Sequence, residues 1–273
     1  MVEEIGGEVR EREIKREPLR ISVAMIVKDE ELNLPRTLES VRWADEIVVV
    51  DSGSTDRTVA VARAAGARVV EQEWLGFAAQ KNFAISQCSG EWVLSLDADE
   101  AVDEELRGEI ERGVAGVSGC DAFYVNRKNY FLGRWMKHAG FYPDRKLRLF
   151  RKGTAWFEER AVHESIKFNG PSKTLRGNLL HYAYPTLESY FEHMNRYSSL
   201  GAAEAAKRSR KAGLVTDLVF RPLLTFIYNY VFRLGFLDGR EGLLLNLYHA
   251  VYVSSKYAKL WSLSAGRTGK KTR

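Results

Sequence analysis

The stretch Trp92-Val93-Leu94-Ser95-Leu96-Asp97-Ala98-Asp99-Glu100 decides how the chain is read. An apolar run of strand-forming residues stops abruptly in three carboxylates within four positions. Short apolar runs of this kind enter buried parallel sheets, and such sheets hold ligands at the carboxyl ends of their strands. Acids crowded at one strand end repel one another unless a cation joins them. Oxygen-only donors suit Mg²⁺ or Mn²⁺, and those ions suit a diphosphate. Asp97 and Asp99 stand at i and i+2, so an extended backbone turns both to one side, where they can share one metal–phosphate unit. The alternative is a helix N-terminus, because Ala101–Arg112 reads as helical and acids favour a first turn.

Upstream of that stretch, strands and helices alternate. Arg20–Val27 reads as a buried first strand, followed by the polar Lys28-Asp29-Glu30-Glu31. Pro35 suits a first helical turn, and Leu34, Leu38 and Val41 form an apolar stripe. Glu46–Val50 is a second strand, ending in Asp51-Ser52-Gly53-Ser54-Thr55-Asp56. A helix is expected from Asp56 to Ala65, capped by Ser54 or Thr55 and stopped by Gly66. Ala67–Glu71 reads as a third strand, Phe77–Gln87 as a further helix, and Trp92–Leu96 as the fourth strand. This rhythm means βαβ units, and the fold class is α/β. Asp51 is a second candidate site residue: at a Gly/Ser turn after an apolar strand it either holds a nucleotide or closes an Asx turn. Neither G-x-G-x-x-G nor G-x-x-x-x-G-K-[ST] occurs, so a dinucleotide fingerprint and a P-loop lack support.

The 273 residues suit one large domain or a domain with an appendage, and 45% hydrophobic residues are ample for its core. Cys88 and Cys120 are far apart, which suggests neither a disulfide framework nor a zinc site and fits a reducing compartment. Residues 1–19 are dominated by Glu, Arg and Lys, and read as a charged tail rather than a signal peptide. The net charge of +5 is unevenly spread. From Arg196 onward there are 14 Lys/Arg against 4 Asp/Glu, whereas the first 195 residues hold 27 against 32. An acidic front and a basic, aromatic back suggest two tasks.

Three sets of residues carry a family resemblance: Ile21–Glu30, Val48-Val49-Val50-Asp51-Ser52-Gly53-Ser54-Thr55-Asp56 and Leu96-Asp97-Ala98-Asp99-Glu100. They resemble the family 2 glycosyltransferases, which have a GT-A fold, a Rossmann-like mixed sheet flanked by helices. The match spans roughly residues 20–190. Phe77-Ala78-Ala79-Gln80-Lys81-Asn82, Arg148-Leu149-Phe150-Arg151-Lys152, Val162-His163-Glu164 and Gly235-Phe236-Leu237-Asp238-Gly239 resemble the branch that includes lipopolysaccharide-core β-glucosyltransferases. The resemblance implies a nucleotide diphosphate sugar, most often of UDP, bound by Val27, Glu30, Asp51, Lys81, Asp97, Ala98 and Arg148. It implies Mn²⁺ or Mg²⁺ on Asp99, with Asp97 beside it. Family members usually carry Asp-Asp-Gly-Ser after the second strand; here Asp51-Ser52-Gly53-Ser54 lacks the second acid.

Inverting transfer also needs a base to take the proton of the attacking hydroxyl. Glu164 is the first candidate, at the place where the family often puts its catalytic acid, and Asp144 is the reserve. His181, after Asn178-Leu179-Leu180, either completes the metal shell or is a hydrogen-bonded core histidine. Arg145 and Arg148 are candidates for neutralising the leaving diphosphate or an anionic acceptor.

The C-terminal third is helical, with Asp217, Arg221, Pro222 and Arg233 interrupting apolar stretches. Its uninterrupted apolar piece is far short of the ~20 residues a spanning helix needs. Basic residues beside Tyr, Trp and Phe match helices that lie in a bilayer interface, and packing on the catalytic domain or a homodimer seam is the alternative. The expected organisation is a tail over 1–19, a GT-A domain over 20–190, a membrane-interface helical segment over 191–262 and a basic tail over 263–273. The resulting expectation is an inverting transferase, moving a hexose such as glucose to a membrane-anchored glycolipid or a polyprenyl phosphate, peripheral on the cytoplasmic face of the inner membrane. A nucleotidyltransferase would carry a basic Gly-rich loop after the first strand, where this chain has Lys28-Asp29-Glu30-Glu31. A nucleic-acid module would place its aromatics on a sheet or groove rather than in apolar helices, so no nucleic acid is expected.

Overall fold

A computed structural model describes residues 21–116, 119–158 and 165–268. The expected tail over 1–19, the last residues of the basic tail and Glu164 lie outside them. Strands β1 (Ile21–Val27), β2 (Glu46–Asp51), β3 (Arg68–Glu71) and β4 (Trp92–Asp97) alternate with helices α1 (Leu34–Ser40), α2 (Thr58–Ala64) and α3 (Phe77–Gln87). β5 (Glu100–Val102) and α4 (Glu104–Gly116) follow, then β6 (Ala122–Phe131), β7 (Arg134–Trp135) and β8 (Asp144–Arg151). β9 (Ala155–Glu158) and β10 (Ser165–Phe168) form a separate two-stranded ribbon, and β11 (Ser172–Tyr184) completes the main sheet.

That sheet has nine strands in the order β3-β2-β1-β4-β8-β6-β11-β5, with β7 on β6. β1 lies parallel to both β2 and β4, so the chain leaves β1 to one side and returns to the other. The crevice at such a reversal opens at the carboxyl ends of the strands. Val27, Asp51 and Asp97 are those ends. β8 runs antiparallel to β4 and β6, which makes the sheet mixed.

The apolar strands are continuous because both faces are covered. Val23, Met25, Leu94 and Leu96 pack with Leu34, Leu38, Leu106 and Ile110 on one face. Ala24, Val48, Val50 and Val93 pack with Ala78, Ala84, Ile85 and Phe150 on the other. Asp97 shares the parity of Val93 and therefore faces α3.

Three local expectations change. The acids after β4 do not open a helix: Ala98 and Asp99 make a tight turn, β5 pairs with β11, and α4 starts at Glu104. Antiparallel pairing with β11 outcompetes helical propensity at Glu100–Val102. The helix expected from Asp56 begins at Thr58, and the Asp56 carboxylate, not Ser54 or Thr55, accepts the Thr58 N–H at 2.9 Å. The division expected at residue 190 falls inside α5 (Leu187–Lys207), which Thr186 caps by accepting the Ser189 N–H.

Beyond α5, a run of π-helical turns (Thr216–Phe220 and Tyr228–Phe232) flanks α6 (Arg221–Ile227), and a 3₁₀ turn over Gly235–Asp238 leads into α7 (Gly239–Thr268). α7 packs along α5, where Lys259 Nζ lies within 2.8 Å of four oxygens on Asn195, Ser198 and Ser199. The 3₁₀ turn is tied to the loop between β7 and β8 by Asp238, whose carboxylate accepts the His138 N–H and pairs with its Nδ1, each at 2.8 Å. No described helix is long and apolar enough to cross a membrane.

Candidate active site

A cavity of about 740 Å³ opens at the ends of β1 and β4, and Asp97, Ala98 and Asp99 lie in its wall. The turn after β4 parts the two aspartates instead of presenting them side by side. Asp97 turns to α3 and β8: Oδ1 meets Lys81 Nζ at 2.8 Å, and Oδ2 accepts from Arg148 Nη2 at 2.7 Å. Burial pushes the Asp97 carboxyl up, but Arg148 and Lys81 outweigh it and hold the group well below the usual carboxylate range. Asp99 turns to β11, with Oδ2 3.3 Å from His181 Nε2.

The tautomer of His181 follows from its other neighbour. Asn129 Nδ2 donates to the Phe141 carbonyl at 3.0 Å, which orients the amide and leaves Oδ1 facing His181 Nδ1 at 2.6 Å. An amide oxygen only accepts, so Nδ1 carries a proton, and Nε2 is the ring nitrogen turned toward Asp99. Two cis ligands of a small divalent ion, each ~2.1 Å from it, stand about 3 Å apart. Asp99 and His181 have that spacing, and the orienting amide is the outer partner a metal-binding histidine requires. The donor set could therefore hold Mn²⁺ or Mg²⁺, with phosphate and water oxygens filling the remaining positions. No cluster of three His, Cys, Asp or Glu side chains suited to a metal exists among the described residues.

Behind the turn, Glu100 is fully buried and organises the basic groups. Its Oε1 accepts from Arg148 Nη2 at 2.6 Å and Arg127 Nη1 at 3.1 Å, and its Oε2 accepts the Asp97 N–H at 3.1 Å. Opposite β6, Leu149 faces Phe123 and Leu147 faces Tyr124, so Arg148 is the extra residue of a bulge. Bulges re-aim side chains beside active sites. Arg148 Nε is buried and has no acceptor among the described residues.

The other expected site residues are placed as follows. Glu30 lines the cavity; burial and the charges of Asp99, Asp56 and Asp97 raise its carboxyl, and a 2.9 Å bond from Asn33 partly offsets them. Val27 is buried at the end of β1, its carbonyl accepting the Ser52 N–H at 3.1 Å. Asp51 is buried and closes the Asx turn: Oδ2 accepts from Gly53 N at 2.9 Å and Ser54 N at 3.0 Å, and Oδ1 from Ser54 Oγ at 2.5 Å. It is not in the cavity wall. Asp144 is not either: Arg127 Nη2 holds its carboxylate at 2.7 Å and Lys146 at 3.0 Å. Burial raises the Asp144 carboxyl, but these cations lower it further, which weakens it as a base.

Glu100, Arg127 and Asn129 were not among the expected site residues, and neither was the wall built by Tyr184 of β11 and His193, Arg196 and Tyr197 of α5. Two signals mark them. Arg127 and Asn129 put polar groups at alternating positions of a strand, and His193, Arg196 and Tyr197 stand at i, i+3 and i+4 on one helix face.

Against known proteins, residues 22–164 match the model of the family described as Glycosyl transferase family 2, more than half of the chain. The chain is a family 2 glycosyltransferase. This glycosyltransferase is 34% identical over 258 residues to the lipopolysaccharide core biosynthesis glycosyltransferase LpsC of Rhizobium meliloti, covering 90% of this chain and 94% of the other. It is 35% identical over 235 residues to an uncharacterized glycosyltransferase of Rickettsia typhi, covering 81% and 80%. Among solved structures, residues 1–349 of S. aureus TarS are similar over 92% of both chains, at 16% identity and a TM-score of 0.47.

Proposed function

We propose that this glycosyltransferase is a metal-dependent, inverting hexosyltransferase, moving glucose or a related hexose from a UDP-sugar to a membrane-anchored glycolipid of the lipopolysaccharide-core type. The observation that carries the reading is the divided turn after β4. Asp99 Oδ2 and His181 Nε2 face each other at 3.3 Å, while Lys81 and Arg148 flank the same turn through Asp97. Asp99 and His181 would hold Mn²⁺ or Mg²⁺, which supplies charge neutralisation at the diphosphate. Asp97 sets the positions of Lys81 and Arg148, whose charges balance the negative charge that develops as the diphosphate departs. Glu30, Val27 and Ala98 shape the donor pocket, and Asp51 supports it by holding the Gly53–Ser54 turn.

Glu164 takes the acceptor proton. It directly precedes β10, whose Ile166 stands in the cavity wall. Asp144 is the weaker base, since Arg127 and Lys146 occupy it. Replacement of Glu164 by Gln tests the assignment: transfer of labelled sugar from a panel of UDP-hexoses to an extracted glycolipid acceptor is lost while UDP affinity is kept. Transfer at the normal rate removes Glu164 as the base.

The acceptor's lipid anchor is supported by the C-terminal helices. Phe220, Leu223, Leu224, Tyr228 and Phe232 are half or more exposed, with Phe232 at 74%, and Arg221 and Arg233 lie among them. Monomeric proteins rarely expose so contiguous an apolar segment, and aromatic side chains flanked by arginines suit the boundary of an anionic bilayer. Peripheral attachment to the cytoplasmic face of the inner membrane follows. A homodimer seam is the other use of the same face, and a polyprenyl phosphate is the second lipid-linked acceptor it would serve.

A further inference from the structure

The site leaves one motif of the sequence unused: Gly235-Phe236-Leu237-Asp238-Gly239. It forms the 3₁₀ turn that leads into α7, with Phe236 and Leu237 exposed and Gly235 and Asp238 buried. Packing requires the first glycine, since a Cβ there would stand 2.6 Å from Asn246 Nδ2 and 2.9 Å from the Asn229 carbonyl. The turn delivers one carboxylate into the protein. Both oxygens of Asp238 go to a single residue of the loop between β7 and β8: Oδ2 accepts the His138 N–H and Oδ1 meets His138 Nδ1, each at 2.8 Å. A second tie lies beside it, where the Ala139 N–H donates to the Arg233 carbonyl at 2.8 Å.

These ties hold a strained turn. The Phe141 N–H donates to the His138 carbonyl at 3.0 Å, and both central residues, Ala139 (φ 53°) and Gly140 (φ 85°), have positive φ. Gly, Asn and Asp dominate such turns, and a left-handed alanine crowds its Cβ against the following carbonyl. Backbone strain of this kind persists only where the surroundings over-determine it. The turn ends at Phe141, whose carbonyl accepts from Asn129 Nδ2 at 3.0 Å, and Asn129 Oδ1 faces His181 Nδ1 at 2.6 Å. A cavity of about 200 Å³ lies against Asn129, Phe141 and His181, with Met136 and Leu245 also in its wall. Close packing therefore does not fix the amide and the imidazole on that side, and their hydrogen bonds must.

On the donor-site reading above, in which Asp99 and His181 hold the metal, we infer that Asp238 is a positioning residue for His181. It acts through the 138–141 turn and Asn129. Without its carboxylate the His138 N–H loses a charge-assisted bond, Ala139 relaxes out of the left-handed region, and the Phe141 carbonyl leaves the Asn129 amide. The C-terminal segment thus supports the metal site as well as carrying the exposed apolar face.

The test titrates Mn²⁺ into the full chain saturated with UDP, at a temperature where circular dichroism shows every variant folded. A double-mutant cycle compares wild type, Asp238→Ala, Asn129→Ala and the double variant. Asp238→Ala is expected to weaken Mn²⁺ binding about tenfold, the lower end for an outer partner of a metal ligand. In the Asn129→Ala background the same change should cost less than about twofold, because the route to His181 is already cut. Wild-type affinity in Asp238→Ala overturns the inference. So does the full loss repeated on top of Asn129→Ala, which would show Asp238 acting by another route. Lys259→Met loosens α7 from α5 without touching the 138–141 turn and should keep wild-type affinity. A loss there as large as that of Asp238→Ala would mean general loosening and also overturns the inference. If Asp238→Ala does not fold, His138→Ala takes its place in the cycle. It removes only the ring contact, so a smaller loss, again absent from the Asn129→Ala background, is expected, and no loss overturns the inference. Wild type that binds UDP without any dependence on Mn²⁺ is a separate outcome: it strikes the donor-site reading, and the inference with it.

Discussion

Asn129 touches no proposed substrate, yet its removal should weaken the metal site. Its Oδ1 lies 2.6 Å from His181 Nδ1, and its Nδ2 is anchored on the Phe141 carbonyl at 3.0 Å. Asn129→Ala removes the acceptor that keeps the proton on Nδ1. The neutral ring then gains more by placing its proton on Nε2, where the Asp99 carboxylate accepts it across the 3.3 Å gap. A protonated Nε2 cannot coordinate, so metal binding must first reverse that tautomer. Outer partners of this kind are worth roughly 10–100-fold in metal affinity, about 1.4–2.8 kcal/mol. Calorimetric titration of Mn²⁺ into UDP-saturated wild type and Asn129→Ala measures it directly. Asn129→Gln, which keeps the amide but displaces it, should fall between the two. Mn²⁺ affinity unchanged within twofold in Asn129→Ala would refute the reasoning about the tautomer and, with it, His181 as a ligand.

Two more outcomes follow from the structure. Glu100→Gln keeps the shape of a fully buried side chain but leaves Arg127 and Arg148 sharing one acid fewer. Removing one partner from a buried ionic network costs about 3–5 kcal/mol, so urea unfolding should show a loss of that order, and a loss below ~1 kcal/mol would show that Asp97 and Asp144 suffice. For the membrane, Leu224→Glu with Phe232→Glu should abolish co-flotation with anionic vesicles while UDP affinity stays within twofold. Unchanged flotation would remove this face as the contact, and a switch from dimer to monomer without a change in flotation would make it a subunit seam.

The parallel half of the fold was legible because its strands are covered on both faces, so β1, β2 and β4 read as uninterrupted apolar runs that end in Val27, Asp51 and Asp97. What followed β4 was not. Glu100-Ala101-Val102 is short and acid-led, and only its partner on β11, almost eighty residues away, makes it a strand. The same distance hid the divided roles of the two aspartates. Spacing places Asp97 and Asp99 on one side of an extended chain, but the turn at Ala98 sends one to Lys81 and Arg148 and the other to His181. Arg127 and Asn129 were obscured for a further reason. Each acts through another side chain, and such pairing across β5, β6 and β11 leaves no mark in local composition. In the C-terminal third, apolar and basic composition was plain, yet its helices were read as a separate segment. α5 instead supplies a wall of the catalytic cavity with His193, Arg196 and Tyr197.

The most direct measurement is calorimetric titration of UDP into the purified protein, with and without Mn²⁺, on wild type, Asp99→Ala and His181→Ala. Wild type should bind UDP only with the metal present, and both variants should lose that metal dependence while remaining folded by circular dichroism. UDP binding with equal affinity in the presence and absence of Mn²⁺, or full metal-dependent binding retained in Asp99→Ala, would contradict a donor site built on the turn after β4.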